Sequence, residues 1–416
     1  MKLVIIGAGP AGVAVAETVR EHDDQSEIVM LTAEPYPPYS PPALVEYFLT
    51  GNPVHFWKGE DFPARLGLDY RAGRRVLKVE PDRKRLLVDN GEPMPYERLV
   101  IASGGRLYSP ISGSDKENIH NFKSLQAGQM LLEQVRSRDI RTVLIVGAGF
   151  IGVEVAIMLR EMGLEVTMLV RSRPMRGMLD PETSQIVLEM LHSRGIRIFQ
   201  GEEADATSFL GEERAEAVQL RSGKQLTADL FVAATGLKPN IEFLTGSGIE
   251  TNWGIIVDDY LRTNFPDIHA VGDVAEVAGR HGEGGRNVYP NYPNAVEQGQ
   301  TVAYNLLGWS VAYQGAESMN SLKHLGLPIM AVGTMEGEEL RVCSDGKLRK
   351  LWISDGRLVG FRLAGDISCA GLYLNLMRRS VDISAIKEVL LDPNFGVAYL
   401  AGMALAPEMN FSGIKK

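Results

Sequence analysis

From Leu3 the chain runs LVII, four apolar residues in succession between a lysine and a glycine turn. So short a run, with no polar face, predicts a strand buried on both sides. GAGPAG follows at residues 7–12, and VAVAETVREH then keeps small and apolar residues at helical spacing before turning polar. Another apolar run at residues 28–31 completes a strand–turn–helix–strand unit. The same order recurs at residues 142–162, TVLIVGAGFIGVEVAIMLREM, with its closing apolar run at 166–170.

Between and after these units the pattern changes. Residues 35–42, PYPPYSPP, hold five prolines in eight positions and exclude regular helix, which resumes near Ala43. Residues 83–88 predict a small hairpin with their neighbours, and LVIASGG at 99–105 predicts a buried strand ending in glycines. DLFVAATGLKPN at 229–240 repeats that strand-to-glycine pattern. Beyond Gly254 come a short extended stretch, the segment HAVGDVAEV, a glycine-rich loop at 279–286 and a helix from about Asn294. After Gly315 the chain predicts short alternating strands at 348–354 and 357–363, then helices at 367–379 and 383–391. The expected fold is α/β, with two Rossmann-like dinucleotide-binding domains plus a smaller α+β C-terminal domain.

A chain of 416 residues exceeds one compact core and calls for two or three domains. The net charge of -9 argues against a general binder of nucleic acid or membrane surface. Cys343 and Cys369 are the only cysteines and form no CxxC, which argues against a disulfide framework, a cysteine-ligated metal site and a dithiol pair. Two buried thiols are expected. No run of about 18 apolar residues predicts a membrane span. The first strand begins too early to leave room for a cleavable leader, so the cytoplasm is the expected compartment.

The glycine turns carry the candidate chemistry. Gly7, Gly9 and Gly12 fit GxGxxG between a strand and a helix, as do Gly147, Gly149 and Gly152. In such a turn the first glycine allows the bend, the second lets a pyrophosphate approach the backbone, and the third lets helix and strand pack closely. The helix N-terminus favours the anion. Glu34, just beyond the closing strand of the first unit, is the candidate for the ribose hydroxyls. The second unit has no acid there; Val170 is followed by Arg171, Ser172 and Arg173. Two guanidiniums suit a 2′-phosphate and hence NADPH, and they also admit NADH.

On these residues the chain resembles the flavoproteins with two dinucleotide folds, a family that includes NADH oxidases, the reductase part of nitrite reductases, and rubredoxin or ferredoxin reductases. GAGPAG, ASGG at 102–105, GAGFIGVE at 147–154, ATGLKPN at 234–240 and AVGD at 270–273 fall in the family's order over about residues 1–330. The resemblance implies FAD at Gly7, Gly9, Pro10, Ala11, Gly12, Ala102, Ser103, Gly104, Gly272 and Asp273. It implies NAD(P)H at Gly147, Gly149, Phe150, Ile151, Gly152 and Gly236, and a helix N-terminus at Asn294 and Ala295 aimed at the flavin pyrimidine. A plain helix cap at Asn294 is the alternative. The implied domains are 1–114 with 245–320 for FAD, 115–244 for NAD(P)H, and 321–416 as a C-terminal interface domain.

Departures from the family narrow the chemistry. Relatives that reduce disulfides or form a cysteine sulfenate carry a cysteine where this chain has Pro42. Ferredoxin-reductase relatives place a lysine near flavin N5 where this chain has Glu46. If Glu46 faces Glu154, which the resemblance puts at the flavin and nicotinamide border, one carboxyl would be raised and could offer a proton. Otherwise Glu46 turns to solvent, and Glu154 serves as favourable charge at a helix start. The resemblance thus implies hydride transfer between nicotinamide and flavin, with single electrons passing to an iron–sulfur partner. The chain would then be an electron-transfer reductase or the FAD subunit of a larger complex, its partner a ferredoxin, a rubredoxin or a metal-containing oxidoreductase, for example of a tungsten aldehyde oxidoreductase type. A peroxide-forming NAD(P)H oxidase and an FAD-holding structural or regulatory module are the alternatives. The apolar helices of the C-terminal domain either cover its own sheet, the commoner use of such spacing, or form the surface of a homo- or hetero-oligomer.

Overall fold

The computed structural model describes residues 1–55, 58–137, 139–280, 285–322, 326, 328–392 and 395–396. Lys2–Ile6 (β1) is fully buried from Leu3 to Ile5, which is why its apolar run has no polar alternation. The chain turns at Gly7, enters Pro10–His22 (α1) with proline in the first turn, and returns as the strand Glu27–Leu31. Parallel pairing sets β1 between Glu27–Leu31 and Arg98–Ile101. Asp69–Arg71 and Ile268–Ala270 complete a five-stranded sheet, every pair in it parallel.

The second repeat builds the same object. Thr142–Val146 (β2) leads into Phe150–Glu161 (α2) and lies between the parallel strands Glu165–Val170 and Leu230–Ala233. Arg197–Gln200 and Ile119–His120 close the edges, again in parallel. Small antiparallel sheets attend both, one of them Val76–Glu80, Arg85–Val88 and Pro93–Pro95, the hairpin region expected near residues 83–88. Tyr292–Leu306 (α3) packs closely on α1: a Cβ on Gly299 would stand 2.4 Å from the Ala11 carbonyl oxygen. These elements belong to one compact unit, Met1–Met175 with Leu188–Glu317.

The other unit joins Arg176–Val187 to the chain from Ser318 onward. Its five-stranded antiparallel sheet runs Met319–Leu322, Ile329–Gly333, Arg357–Ala364, Lys347–Ser354, Glu338–Ser344. The helix Ala370–Arg378 covers that sheet with Ala370, Tyr373, Leu376 and Met377, in one core with Leu351, Phe361 and Leu363. Arg362 is 1% exposed, and its guanidinium donates to the carbonyls of Val332 at 2.6 Å, Phe361 at 2.8 Å and Gly333 at 3.0 Å. Lys350, also buried, reaches Asp180 at 2.8 Å and Glu182 at 2.9 Å, tying the 176–187 segment to the sheet.

Three expectations are corrected. The helix expected at 383–391 is reduced to the single 3-10 turn Lys387–Val389. The backbone bonds here reach back three residues, Ile386 N–H to Ile383 at 3.0 Å and Val389 N–H to Ile386 at 3.1 Å, so 3-10 turns take the place of an α-helix. α3 starts at Tyr292 with Asn291, not Asn294, as its cap; the Asn291 side chain accepts the Asn294 N–H at 2.9 Å. Cys369 is buried as expected, but Cys343 is exposed, because it lies on the sheet-edge strand Glu338–Ser344. Part of the glycine-rich loop at 279–286, residues 281–284, lies outside the described residues.

Candidate cofactor site

Parallel strands put their carboxyl ends on one edge of a sheet, and chain connections diverge between β1 and Arg98–Ile101. Ligands of such sheets lie in the crevice at that switch point. The loops leaving β1, Arg98–Ile101 and Ile268–Ala270 there are residues 7–12, 102–105 and 271–273, three of the motifs picked out by sequence. The second sheet repeats this with residues 147–152, 171–173 and 234–236 after β2, Glu165–Val170 and Leu230–Ala233.

Gly7 has φ +110°, its N–H donates to the Leu31 carbonyl at 2.7 Å, and a Cβ on it would lie 2.1 Å from the Ala102 oxygen. Gly147 matches it with φ +107°, a 3.1 Å bond to the Leu169 carbonyl and a Cβ 2.3 Å from the Ala234 oxygen. On Gly12 and Gly152 a Cβ would strike the carbonyl of the first glycine at 2.1 and 2.4 Å. Gly9 and Gly149 differ: nothing lies within 4 Å of a Cβ built there. Each is the N-cap of its helix, and neither cap makes a side-chain hydrogen bond. An uncapped helix start leaves backbone N–H groups for a ligand. Two open glycine corners, each at an uncapped helix start, fit the pyrophosphates of FAD and NAD(P)H. Pro10 and Ala11 form the first turn of α1, and Phe150 and Ile151 that of α2.

Around the first cradle the remaining residues are anchored. Ala102 is buried, the Ser103 hydroxyl donates to the Asn240 carbonyl at 2.8 Å, and the Gly104 carbonyl accepts the Asn240 N–H at 2.9 Å. Gly105–Leu107 pairs antiparallel with Leu237–Pro239, so the ASGG and ATGLKPN motifs clasp one another. Gly236 is exposed, and its carbonyl accepts the Tyr108 N–H at 2.9 Å. The Gly272 N–H donates to the buried Gln298 side chain at 2.7 Å. Asp273 makes an ion pair with Lys123 at 2.8 Å. Sequence reading missed Lys123: it stands in the polar stretch NFKS, and no local pattern names a partner so far along the chain.

Asn294 is 1% exposed and exchanges bonds with the Glu317 backbone, donating at 2.9 Å and accepting at 3.0 Å, with Ala295 buried beside it. The Glu34 carboxylate takes the Tyr39 hydroxyl at 2.7 Å and the Gln126 N–H at 3.1 Å. Burial, with Glu34 beside it, pushes the Tyr39 phenol well above its ordinary range, so it stays a donor. Glu46 is exposed and accepts the Asn52 side-chain amide at 2.8 Å; its helix, Leu44–Thr50, packs against α2, which carries a half-buried Glu154. Arg171 and Ser172 are exposed, and Arg173 is half-buried.

Comparison with known proteins agrees with this arrangement. Residues 1–299 match the family described as pyridine nucleotide-disulphide oxidoreductase. The chain is 28% identical over 405 residues to the assimilatory nitrate reductase electron transfer subunit of Bacillus subtilis, covering 94% of this chain and 51% of that protein. It therefore spans about half the length of that relative. It is 31% identical over 321 residues to an NADH oxidase of Methanocaldococcus jannaschii, covering 74% of this chain and 70% of the other. Among solved structures, the ferredoxin reductase for the CYP199A2 system from Rhodopseudomonas palustris superposes with a TM-score of 0.84 at 26% identity, covering 96% of this chain and 99% of that one.

Proposed function

Because the chain belongs to the pyridine nucleotide-disulphide oxidoreductase family, we propose that it is an FAD-dependent NAD(P)H oxidoreductase that passes electrons singly to an iron–sulfur protein, as the flavin subunit of a larger assembly. Bound FAD would supply the redox chemistry, exchanging a hydride with the nicotinamide and single electrons with a partner. In this reading residues 1–114 with 245–320 hold FAD, 115–244 hold the nicotinamide nucleotide, and 321–416 form the partner or subunit surface.

The chain's own residues bind and orient. Gly7, Gly9 and Gly12 admit the FAD pyrophosphate to the start of α1, Glu34 takes the adenosine ribose, and Asp273, held by Lys123, takes the ribityl end. Gly147, Gly149 and Gly152 do the same for the second nucleotide, with Arg171 and Arg173 as the 2′-phosphate ligands. Glu154 borders the flavin and nicotinamide. The start of α3, at Asn294 and Ala295, offers its dipole to the flavin pyrimidine. Glu46 is exposed, which supports the solvent-facing role over the proton-donating one.

One feature narrows the acceptor: by the resemblance, Pro42 stands where disulfide-reducing relatives have cysteine, so no side chain there relays electrons and they leave the flavin directly. The names of the Bacillus and Rhodopseudomonas relatives, an electron transfer subunit and a ferredoxin reductase, support the same choice. The Methanocaldococcus relative, an NADH oxidase, keeps peroxide formation as the second reading. The test is reoxidation after anaerobic reduction with NADPH. Fast reoxidation by a rubredoxin or ferredoxin with slow reoxidation by air supports the proposal. Reoxidation by air at the full turnover rate, with no gain from the iron–sulfur protein, rejects it for the oxidase.

A further inference from the structure

Glu34 is engaged on both carboxylate oxygens by the protein itself. The Tyr39 hydroxyl donates to Oε2 at 2.7 Å, and the Gln126 N–H donates to Oε1 at 3.1 Å. The Tyr39 oxygen in turn accepts the Leu125 N–H at 3.0 Å, and Ser124 Oγ accepts the Ala127 N–H at 3.2 Å. The helix Leu125–Ser137 therefore has three of its opening donors met by side chains, two of which come from the proline-rich loop after the first unit. A carboxylate at a helix start is favourable in itself. Neighbouring bonds brace the loop: Tyr36 donates to the Gln129 side chain, Tyr70 donates to the Tyr36 carbonyl at 2.6 Å, and the Gly73 N–H donates to the Glu34 carbonyl at 3.0 Å.

Each Glu34 oxygen keeps a second acceptor site, because a carboxylate oxygen has two lone pairs. A carboxylate already fixed in direction loses less freedom when it takes two ribose hydroxyls. We propose that Tyr39 is a positioning residue for FAD: its hydroxyl, with the first N–H groups of the helix Leu125–Ser137, fixes the Glu34 carboxylate in the orientation that receives the adenosine ribose. The proposal rests on Glu34 being the ribose ligand, and it adds a mutual dependence. FAD at Glu34 and the seating of the helix start stabilise the same carboxylate orientation, so FAD should slow amide exchange at Leu125 and Gln126.

The test is FAD titration of the full chain after cofactor removal, followed by flavin fluorescence, for the parent, Tyr39→Phe, Glu34→Gln and the double variant. Each single change is expected to raise the FAD Kd about ten-fold, the size of a lost hydrogen bond to a charged group. The double variant should lie within about two-fold of Glu34→Gln, since Tyr39 acts only through that carboxylate. A purely structural Tyr39 would give the product of the two single effects, and that result overturns the proposal. Glu34→Asp keeps the charge and withdraws the oxygens from Tyr39 by one methylene; unchanged FAD binding there also overturns it. If Glu34→Gln weakens FAD and Tyr39→Phe does not, only the positioning role falls. If Glu34→Gln leaves the Kd unchanged, the ribose assignment falls with it.

Discussion

Replacing Gly9 and Gly12 by alanine, one at a time, separates binding from folding inside a single turn. Gly9 has φ -76° and ψ -178°, a conformation that alanine adopts freely, and nothing lies within 4 Å of the added Cβ. With no strain in the fold, Gly9→Ala should leave the FAD-free protein within about 1 kcal/mol of the parent, because the reduced freedom of the unfolded chain offsets alanine's poorer fit at the N-cap. The same methyl projects into the open corner at the start of α1, where the proposed FAD pyrophosphate would approach the backbone. Crowding a fitted group by one methyl costs about 1–3 kcal/mol, or roughly five- to 150-fold in Kd. Gly12→Ala should behave in the opposite way. Its Cβ would meet the Gly7 carbonyl oxygen at 2.1 Å and Ile5 Cγ2 at 3.2 Å, so α1 must shift, and the FAD-free protein should lose at least about 1–3 kcal/mol. Urea unfolding of the cofactor-free chain gives the first quantity, and FAD titration gives the second. If Gly9→Ala keeps the parent FAD affinity, the corner at Gly9 is not where the pyrophosphate sits, and the reading of the first cradle is wrong.

Other outcomes follow from the same geometry. Changing Arg171 and Arg173 together to alanine should raise KM for NADPH at least about ten-fold and KM for NADH less than about two-fold, as steady-state rates would show; equal effects would mean that neither touches a 2′-phosphate. Lys123→Met leaves Asp273 without its cation and should weaken FAD retention roughly ten-fold, measured as flavin release on dilution, with Asp273→Asn in the same chain recovering part of the loss. The Arg341 guanidinium and the Lys350 ammonium hold the Glu182 carboxyl down at about 2 against an ordinary 4.5, outweighing its desolvation. A depressed carboxyl adds stability above its unfolded value and loses it as pH falls, so the stability gap between the parent and Arg341→Ala should close between about pH 4.5 and 2. A gap constant over that range in thermal unfolding would contradict the ion pair. Glu46→Gln should leave the rate of flavin reduction by NADPH in stopped flow within about two-fold, since Glu46 faces solvent; a fall of ten-fold or more would restore its proton role.

What the sequence made legible was local. A glycine at residue 7 or 147 is dictated by the strand before it and the helix after it, and both βαβ units appear within a residue or so of the runs that predict them. The paired strand-to-glycine motifs at 102–105 and 234–236 were visible for the same reason, although their mutual clasp through Asn240 was not. Long-range polar partners left no trace in periodicity. Lys123 reads as a surface lysine until the fold brings Asp273 to it, and Glu34 reads as a loop acid until the helix Leu125–Ser137 arrives at its carboxylate. The 176–187 segment looks like part of the second βαβ unit, yet Lys350 binds Asp180 and Glu182 within the unit that begins again at Ser318. At 383–391 apolar spacing suggested a helix, but the backbone pairs three residues back, Ile386 with Ile383 and Val389 with Ile386, and a single 3-10 helix turn forms. Asn291 and Asn294 are both credible caps by composition. Both side-chain amides donate to the Glu317 carbonyl at 2.9 Å, and only the fold shows that it is the Asn291 oxygen that takes the Asn294 N–H and caps the helix.

The central claim is that both cradles are used, one for FAD and one for a nicotinamide nucleotide that reduces it. The most direct measurement is an anaerobic titration of the full chain, purified with its flavin, by NADPH and by NADH, with flavin absorbance as the readout. Loss of the oxidised flavin spectrum with NADPH, abolished or strongly weakened in Gly149→Ala while the bound flavin is retained, is the expected result. A spectrum unchanged by either nucleotide would contradict the claim.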